Sequence, residues 1–180
     1  STAPGPCVAA PVPGKTNVWS CDITINSSSS GVFTANATGT AKVTKAGIAD
    51  VVNLTRSTDP NDVHAAGPGG SGPAVKTYVD ARIKVAPDGL NEVGDDHLVM
   101  ATVETKDGNG DWTAATDVTV DFVLTGTGEF VSGDDDCVTT AAGTCTVSID
   151  SKIVGTSVVS ATATPTVHGV SIKRSTDATI

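Results

Sequence analysis

The sequence predicts an all-β protein built from β-sandwich repeats, with one complete unit preceded by the C-terminal half of another. Three observations lead there. Ala, Val, Thr, Ser, Gly and Asp dominate while Leu, Met and Glu are scarce, so strand formers outnumber good helix formers. The chain of 180 residues is punctuated by 19 Gly and 9 Pro, which cut it into short strands and tight turns. A block near the N-terminus also recurs near the C-terminus with its apolar pattern intact.

The recurrence is specific. Cys21-Asp22-Ile23-Thr24-Ile25-Asn26-Ser27 matches Cys145-Thr146-Val147-Ser148-Ile149-Asp150-Ser151, 124 positions later. Gly31 aligns with Gly155, Ala37-Thr38-Gly39-Thr40 with Ala161-Thr162-Ala163-Thr164, and Val43 with Val167, all at that spacing. Arg56-Ser57-Thr58-Asp59 then recurs as Arg174-Ser175-Thr176-Asp177, now 118 positions later. Residues 1–62 therefore correspond to the C-terminal half of a unit, 74–180 form a complete unit, and the Gly/Pro-rich stretch 63–73 links them.

Seven strands are expected in the complete unit. Val75 to Val85 alternates, with Val79, Ala81, Ile83 and Val85 on one face and Asp80, Arg82 and Lys84 on the other. Leu98 to Val103 is a more continuous apolar run, as in a central strand, and Lys106 to Asp111 is a turn. Val118, Val120, Phe122 and Leu124 alternate with polar residues. Glu129 to Val131 is short, and Cys145 to Ile149 buries Val147 and Ile149. Thr156 to Thr164 and Thr166 to Arg174 complete the set. The half unit supplies about three strands, whose Ile23, Ile25, Phe33, Ala35, Val43 and Leu54 need partners from elsewhere.

Four stretches in order resemble the bacterial Ig-like repeats of the invasin and intimin type. They are the turn Asp107-Gly108-Asn109-Gly110-Asp111, the strand Val118-x-Val120-x-Phe122, the strand start Thr139-x-x-x-Gly143-x-x-x-Val147, and Gly155-x-x-x-Val159-x-Ala161. The resemblance covers most of 80–165, and its second half recurs in 21–44. This chain departs from the pattern by placing cysteines before and after the Thr139–Gly143 turn. The resemblance implies an Ig-like sandwich and a place in a surface adhesin, where such domains serve as spacers and only some bind a receptor.

Cysteine chemistry points the same way. Cys7, Cys21, Cys137 and Cys145 contain no C-x-x-C pair, and the three histidines lie far from them in sequence, which argues against zinc. Disulfides imply an oxidising compartment, outside the cell or at its surface. Of three connectivities, local pairing of Cys7 with Cys21 and Cys137 with Cys145 is the one a repeated unit favours, with free buried thiols as the rival reading. Closing a loop of this size contributes about 2–3 kcal/mol by loop-closure entropy.

Other chemistry is sparse. Asp107-x-Asn109-x-Asp111 begins like a calcium loop, but Trp112 stands where Gly is required and Val118 where Glu is required. It reads as a solvated hairpin turn, and Asp95-Asp96 and Asp134-Asp135-Asp136 as solvated loop tips. No metal or cofactor is expected. Asn26, Asn36 and Asn53 head N-x-S/T sequons, candidate glycosylation sites that imply surface exposure. A triad needs a His oriented by a carboxylate, and His97 and His168, at strand ends, read as solvated surface residues, so no enzyme is expected. Lys84 on a polar face argues against an internal Lys–Asn isopeptide bond.

A formal net charge of −9 repels phosphates and excludes nucleic-acid binding of the basic-patch kind. No run approaches the ~20 apolar residues of a membrane helix, so no membrane insertion is expected. Ser1 to Gly5 is small and uncharged, unlike a signal peptide, so the chain reads as mature protein or an excised segment. The expected role is structural: part of an extracellular fibre, stalk or adhesin shaft. Its partners would be neighbouring copies of the same repeat, with β-strand complementation as one way to complete the half unit. The alternative is an adhesin tip or carbohydrate-binding module, for which Trp19, Trp112 and Tyr78 are the realistic anchors.

Overall fold

The computed structural model describes residues 5–44, 47 and 50–177; residues 1–4, on which the reading of the N-terminus partly rests, lie outside this range. Every regular element among the described residues is a strand. The N-terminal segment carries β1 (Ala10–Pro11), β2 (Trp19–Ser20), β3 (Gly31–Ala35), β4 (Thr38–Thr44) and β5 (Val51–Ser57). After the linker come β6 (Ala74–Tyr78), β7 (Asp80–Ala86), β8 (His97–Lys106), β9 (Trp112–Ala114), β10 (Thr119–Gly126) and β11 (Glu129–Phe130). The chain continues through β12 (Asp136–Val138), β13 (Thr144–Asp150), β14 (Ser157–Ala163), β15 (Thr166–Val167), β16 (Val170–Ser171) and β17 (Arg174–Ser175).

The second segment is a sandwich of two antiparallel sheets. One has the order β12-β10-β14-β17; the other has β11-β13-β8-β7, with β9 added to β8. Alternation decides which side chains meet between them. Val99, Ala101 and Val103 of β8 and Val147 and Ile149 of β13 face Val120 and Phe122 of β10 and Ala161 and Ala163 of β14 in one buried cluster. Leu98 and Met100 of β8 point outward, so the apolar run is central in its sheet yet buried on one face only.

Thr139 and Gly143 explain the turn that precedes β13. Thr139 is 2% exposed; its hydroxyl donates to Ala115 O at 2.7 Å and accepts from Val118 N at 2.9 Å. Gly143 has φ +72°, and a Cβ there would lie 2.7 Å from Val103 O, the backbone against which the turn packs. Gly143 O in turn accepts from Val103 N at 2.8 Å. A threonine hydroxyl and a residue without Cβ are thus required at these two positions.

Two strand expectations are corrected. Val75 to Val85 is not one strand. It breaks at Val79: β6 pairs with β3 of the N-terminal segment, while β7 pairs with β8. Each half extends a different sheet, and one uninterrupted strand could not serve both. Thr166 to Arg174 is not one strand either. His168 (φ 47°) and Gly169 (φ 78°) form a two-residue turn with positive φ at both positions, which reverses the chain between β15 and β16.

No described residue of the N-terminal segment belongs to the buried cluster. Its β4–β5 hairpin pairs seven residues with seven, from Thr38↔Ser57 to Thr44↔Val51. Val43, Val51, Val52 and Leu54 on it are exposed. Residues 21–27 form no strand, although their counterparts 145–151 supply most of β13. The apolar pattern is the same in both. What differs is the partner: 145–149 is hydrogen-bonded to β8, and among the described residues no strand pairs with 21–27.

Candidate functional site

The feature that distinguishes this chain is the recurrence of one local arrangement in two surroundings. In β4–β5, Thr38 pairs with Ser57, Gly39 with Arg56, Lys42 with Asn53 and Val43 with Val52. In the second segment the counterparts Thr162 and Ser175, Ala163 and Arg174, Thr166 and Ser171, and Val167 and Val170 pair in the same register. Side-chain bonds recur with the backbone. Thr38 Oγ1 donates to Ser57 Oγ at 3.1 Å, and Thr162 Oγ1 to Ser175 Oγ at 3.2 Å. Ala37 N donates to Thr58 Oγ1 at 2.8 Å, and Ala161 N to Thr176 Oγ1 at 2.9 Å. Asp59 N and Asp177 N each donate to the serine hydroxyl two residues back. The change of spacing from 124 to 118 falls between Val43 and Val52, whose counterparts Val167 and Val170 flank the tight turn at His168 and Gly169.

The arginines differ. Arg174 reaches across to the first strand of its own unit: Nε donates to Ala81 O at 2.8 Å, and Nη2 is paired with the Asp80 carboxylate. Arg56 Nη1 donates to Thr55 O at 2.8 Å, and its side chain lies along Gly67 of the linker. No carboxylate among the described residues forms an ion pair with it.

A junction joins the two segments. β6 pairs with β3 from Gly31↔Tyr78 to Ala35↔Ala74. Tyr78 donates its hydroxyl to Ile25 O at 2.6 Å and meets Phe33 edge-on, with ring centres 5.5 Å apart. The Asp107–Asp111 turn, expected to be solvated, packs here. Asn109 Oδ1 accepts from Val32 N at 3.1 Å, and a Cβ on Gly108 (φ +53°) would lie 2.9 Å from Val32 Cγ2. Asp107 at the same turn is bonded to His168 Nε2 at 2.7 Å.

The four cysteines form two local bridges, Cys7–Cys21 and Cys137–Cys145, each with Cα atoms 5.9 Å apart. Asn26, Asn36 and Asn53 are all exposed; the last sits within β5. Each histidine already has a partner: His64 with Asp62 at 3.1 Å, His97 with Pro87 O at 3.0 Å, and His168 with Asp107. A backbone bond from His64 and its ring lower the Asp62 carboxyl below its ordinary range. Among the described residues, no three His, Cys, Asp or Glu side chains converge as metal ligands.

Two of the three aromatic anchors are occupied. Tyr78 belongs to the junction, and the Arg82 guanidinium lies 4.4 Å from the Trp112 ring centre. Trp19 is 62% exposed. Arg82 Nε also donates to Glu104 at 2.6 Å, and this bond holds the Glu104 carboxyl below the usual carboxylate range. Lys84 is exposed beside this pair, 4.0 Å from Glu104. No helix among the described residues is long and apolar enough to cross a membrane.

The correspondence of residues was foreshadowed by the spaced identities; the contrast between Arg56 and Arg174 was not, because the partners of Arg174 lie more than ninety residues away in sequence. Compared with protein-family models, with curated proteins and with solved structures, the chain finds no match.

Proposed function

We propose that the chain is a structural segment of an extracellular fibre, stalk or adhesin shaft, built from tandem Ig-like β-sandwich units of the invasin and intimin type. The observation that carries this reading is the register-for-register recurrence of the C-terminal hairpin, with its threonine and serine bonds, in a segment that lacks the rest of the unit. A unit that recurs within 180 residues is the signature of an array, whose members contact their neighbours in turn. Two further features favour it. Each disulfide lies within one unit, which suits an oxidising exterior. The junction uses strand pairing and a fitted turn, so successive units would hold a fixed angle. The net charge of −9 keeps such an extended array soluble and self-repelling.

The test is on the source cells. Antibodies raised against 74–180 should label intact, unpermeabilised cells, and negative-stain images of the purified parent protein should show rods. Label confined to permeabilised cells would sink the reading. Strong glycan binding that is lost in Trp19→Ala would replace it with the carbohydrate-binding alternative.

A further inference from the structure

The Arg174 clamp shows what the Arg56 side chain lacks. In the complete unit, the front half (79–136) covers the back half in three ways. β8 pairs with β13, β10 pairs with β14, and β7 brings Asp80 and the Ala81 carbonyl to Arg174. The N-terminal segment has the counterparts of all three receivers. Residues 21–27 stand for β13, 33–39 stand for β14, and Arg56 stands for Arg174. All three lie without those partners, and Ile23, Val43, Val52 and Leu54 are exposed around them.

We propose that segment 21–27, the β3–β4 strand and Arg56 form a docking face for the front half of a like unit. Its occupant is a sequence of the kind seen at 79–136, whose first strand offers a carboxylate followed by a backbone carbonyl to Arg56. Charge complementarity selects this occupant: a guanidinium in the position of Arg174 is met by a carboxylate and a carbonyl on an acidic strand, which apolar cover alone does not offer. A second copy of the chain is a poor source, because its own 79–136 is already packed against its own back half. The proposal rests on the array reading and names the partner of that array's incomplete unit. On docking, 21–26 becomes a strand, as 145–150 already is.

The experiment extends the full chain by a duplicate of 79–136 joined ahead of Ser1, and reads amide exchange. Protection at Ile23, Ile25, Val43 and Leu54 should rise towards that of Val147 and Ile149. Protection at Val147 and Ile149 must persist, which shows that the resident front half has stayed in place. The extended chain should also gain a second unfolding transition. Arg56→Ala should lower the midpoint of that transition by about as many degrees as Arg174→Ala lowers that of the resident unit, while Arg56→Lys should lose less. Unchanged protection at 21–57 would overturn the proposal. So would a new transition indifferent to Arg56→Ala where Arg174→Ala weakens the resident unit. Protection already present in the unextended chain would overturn it too, and sedimentation would then tell a second copy from a self-sufficient fold. Surface labelling of cells is independent of all these outcomes, so failure here and failure of the array reading are separable.

Discussion

At the scale of single residues, two side chains carry separable contributions. Thr139 is buried and bonded at both ends of its hydroxyl, so removing that group leaves Ala115 O and Val118 N unpaired in a dry site. Thr139→Val should therefore cost about 2–3 kcal/mol in urea unfolding of the full chain, and Thr139→Ser should recover most of it. A loss in Thr139→Ser with none in Thr139→Val would assign the effect to packing of the methyl group, which valine keeps and serine lacks. Glu104 acts through charge. Its carboxyl is held below its ordinary value in the folded state by Arg82. The bond therefore stabilises the fold above the unfolded carboxyl value of about 4.5, and the contribution fades as pH falls through the lower folded value. Urea midpoints followed from pH 7 down to pH 3 should fall more steeply for the native chain than for Glu104→Gln, with the two curves drawing together at the acid end. Parallel curves would remove Glu104 from the acid response.

At the scale of elements, the disulfides belong to different bodies. Cys137 sits in β12 and Cys145 in β13, strands of opposite sheets, so this bridge crosses the sandwich. Replacing both with serine should lower the stability of the second unit by roughly 2–3 kcal/mol. Replacing Cys7 and Cys21 should leave that transition within about 0.5 kcal/mol of its original value, because the changes are remote from its core. Calorimetry of both double variants decides, and equal shifts would contradict the separation. Elements were also where the sequence was most and least legible. Spaced identities foretold which residues correspond, since Thr38, Ser57 and Arg56 recur as Thr162, Ser175 and Arg174, but not that they pair as hairpins. The alternation of Val120 and Phe122 foretold the buried face. Pattern could not reveal that 21–26 stays irregular while 145–150 is a strand, because a strand is completed by a neighbour that local pattern does not name. The split at Val79 was hidden for the same reason. The reversal at His168 and Gly169 was a missed turn signal, obscured by β-branched residues on both sides.

At the scale of the whole molecule, the junction between the segments is the least redundant contact. It rests on one five-residue strand pair, the Tyr78 hydroxyl and the Asp107–Asp111 turn. Gly108→Val would place a branched side chain against Val32 and Thr77 from a backbone conformation such residues rarely adopt. The variant should keep the melting behaviour of the second unit to within a few degrees while speeding exchange at Val32 and cleavage in 59–73. If exchange and cleavage stay unchanged, the turn has no part in holding the segments together. The bridges have a further consequence for biogenesis. A polypeptide with two cysteines per unit faces a pairing problem that grows fast, since eight thiols can join in 105 ways. Partners 8 and 14 positions apart meet sooner than any others, because closing a loop of about ten residues takes only ~10–100 ns. Each thiol therefore meets its own mate most often throughout the seconds to hours that oxidation takes, which favours local pairing however many units the chain carries.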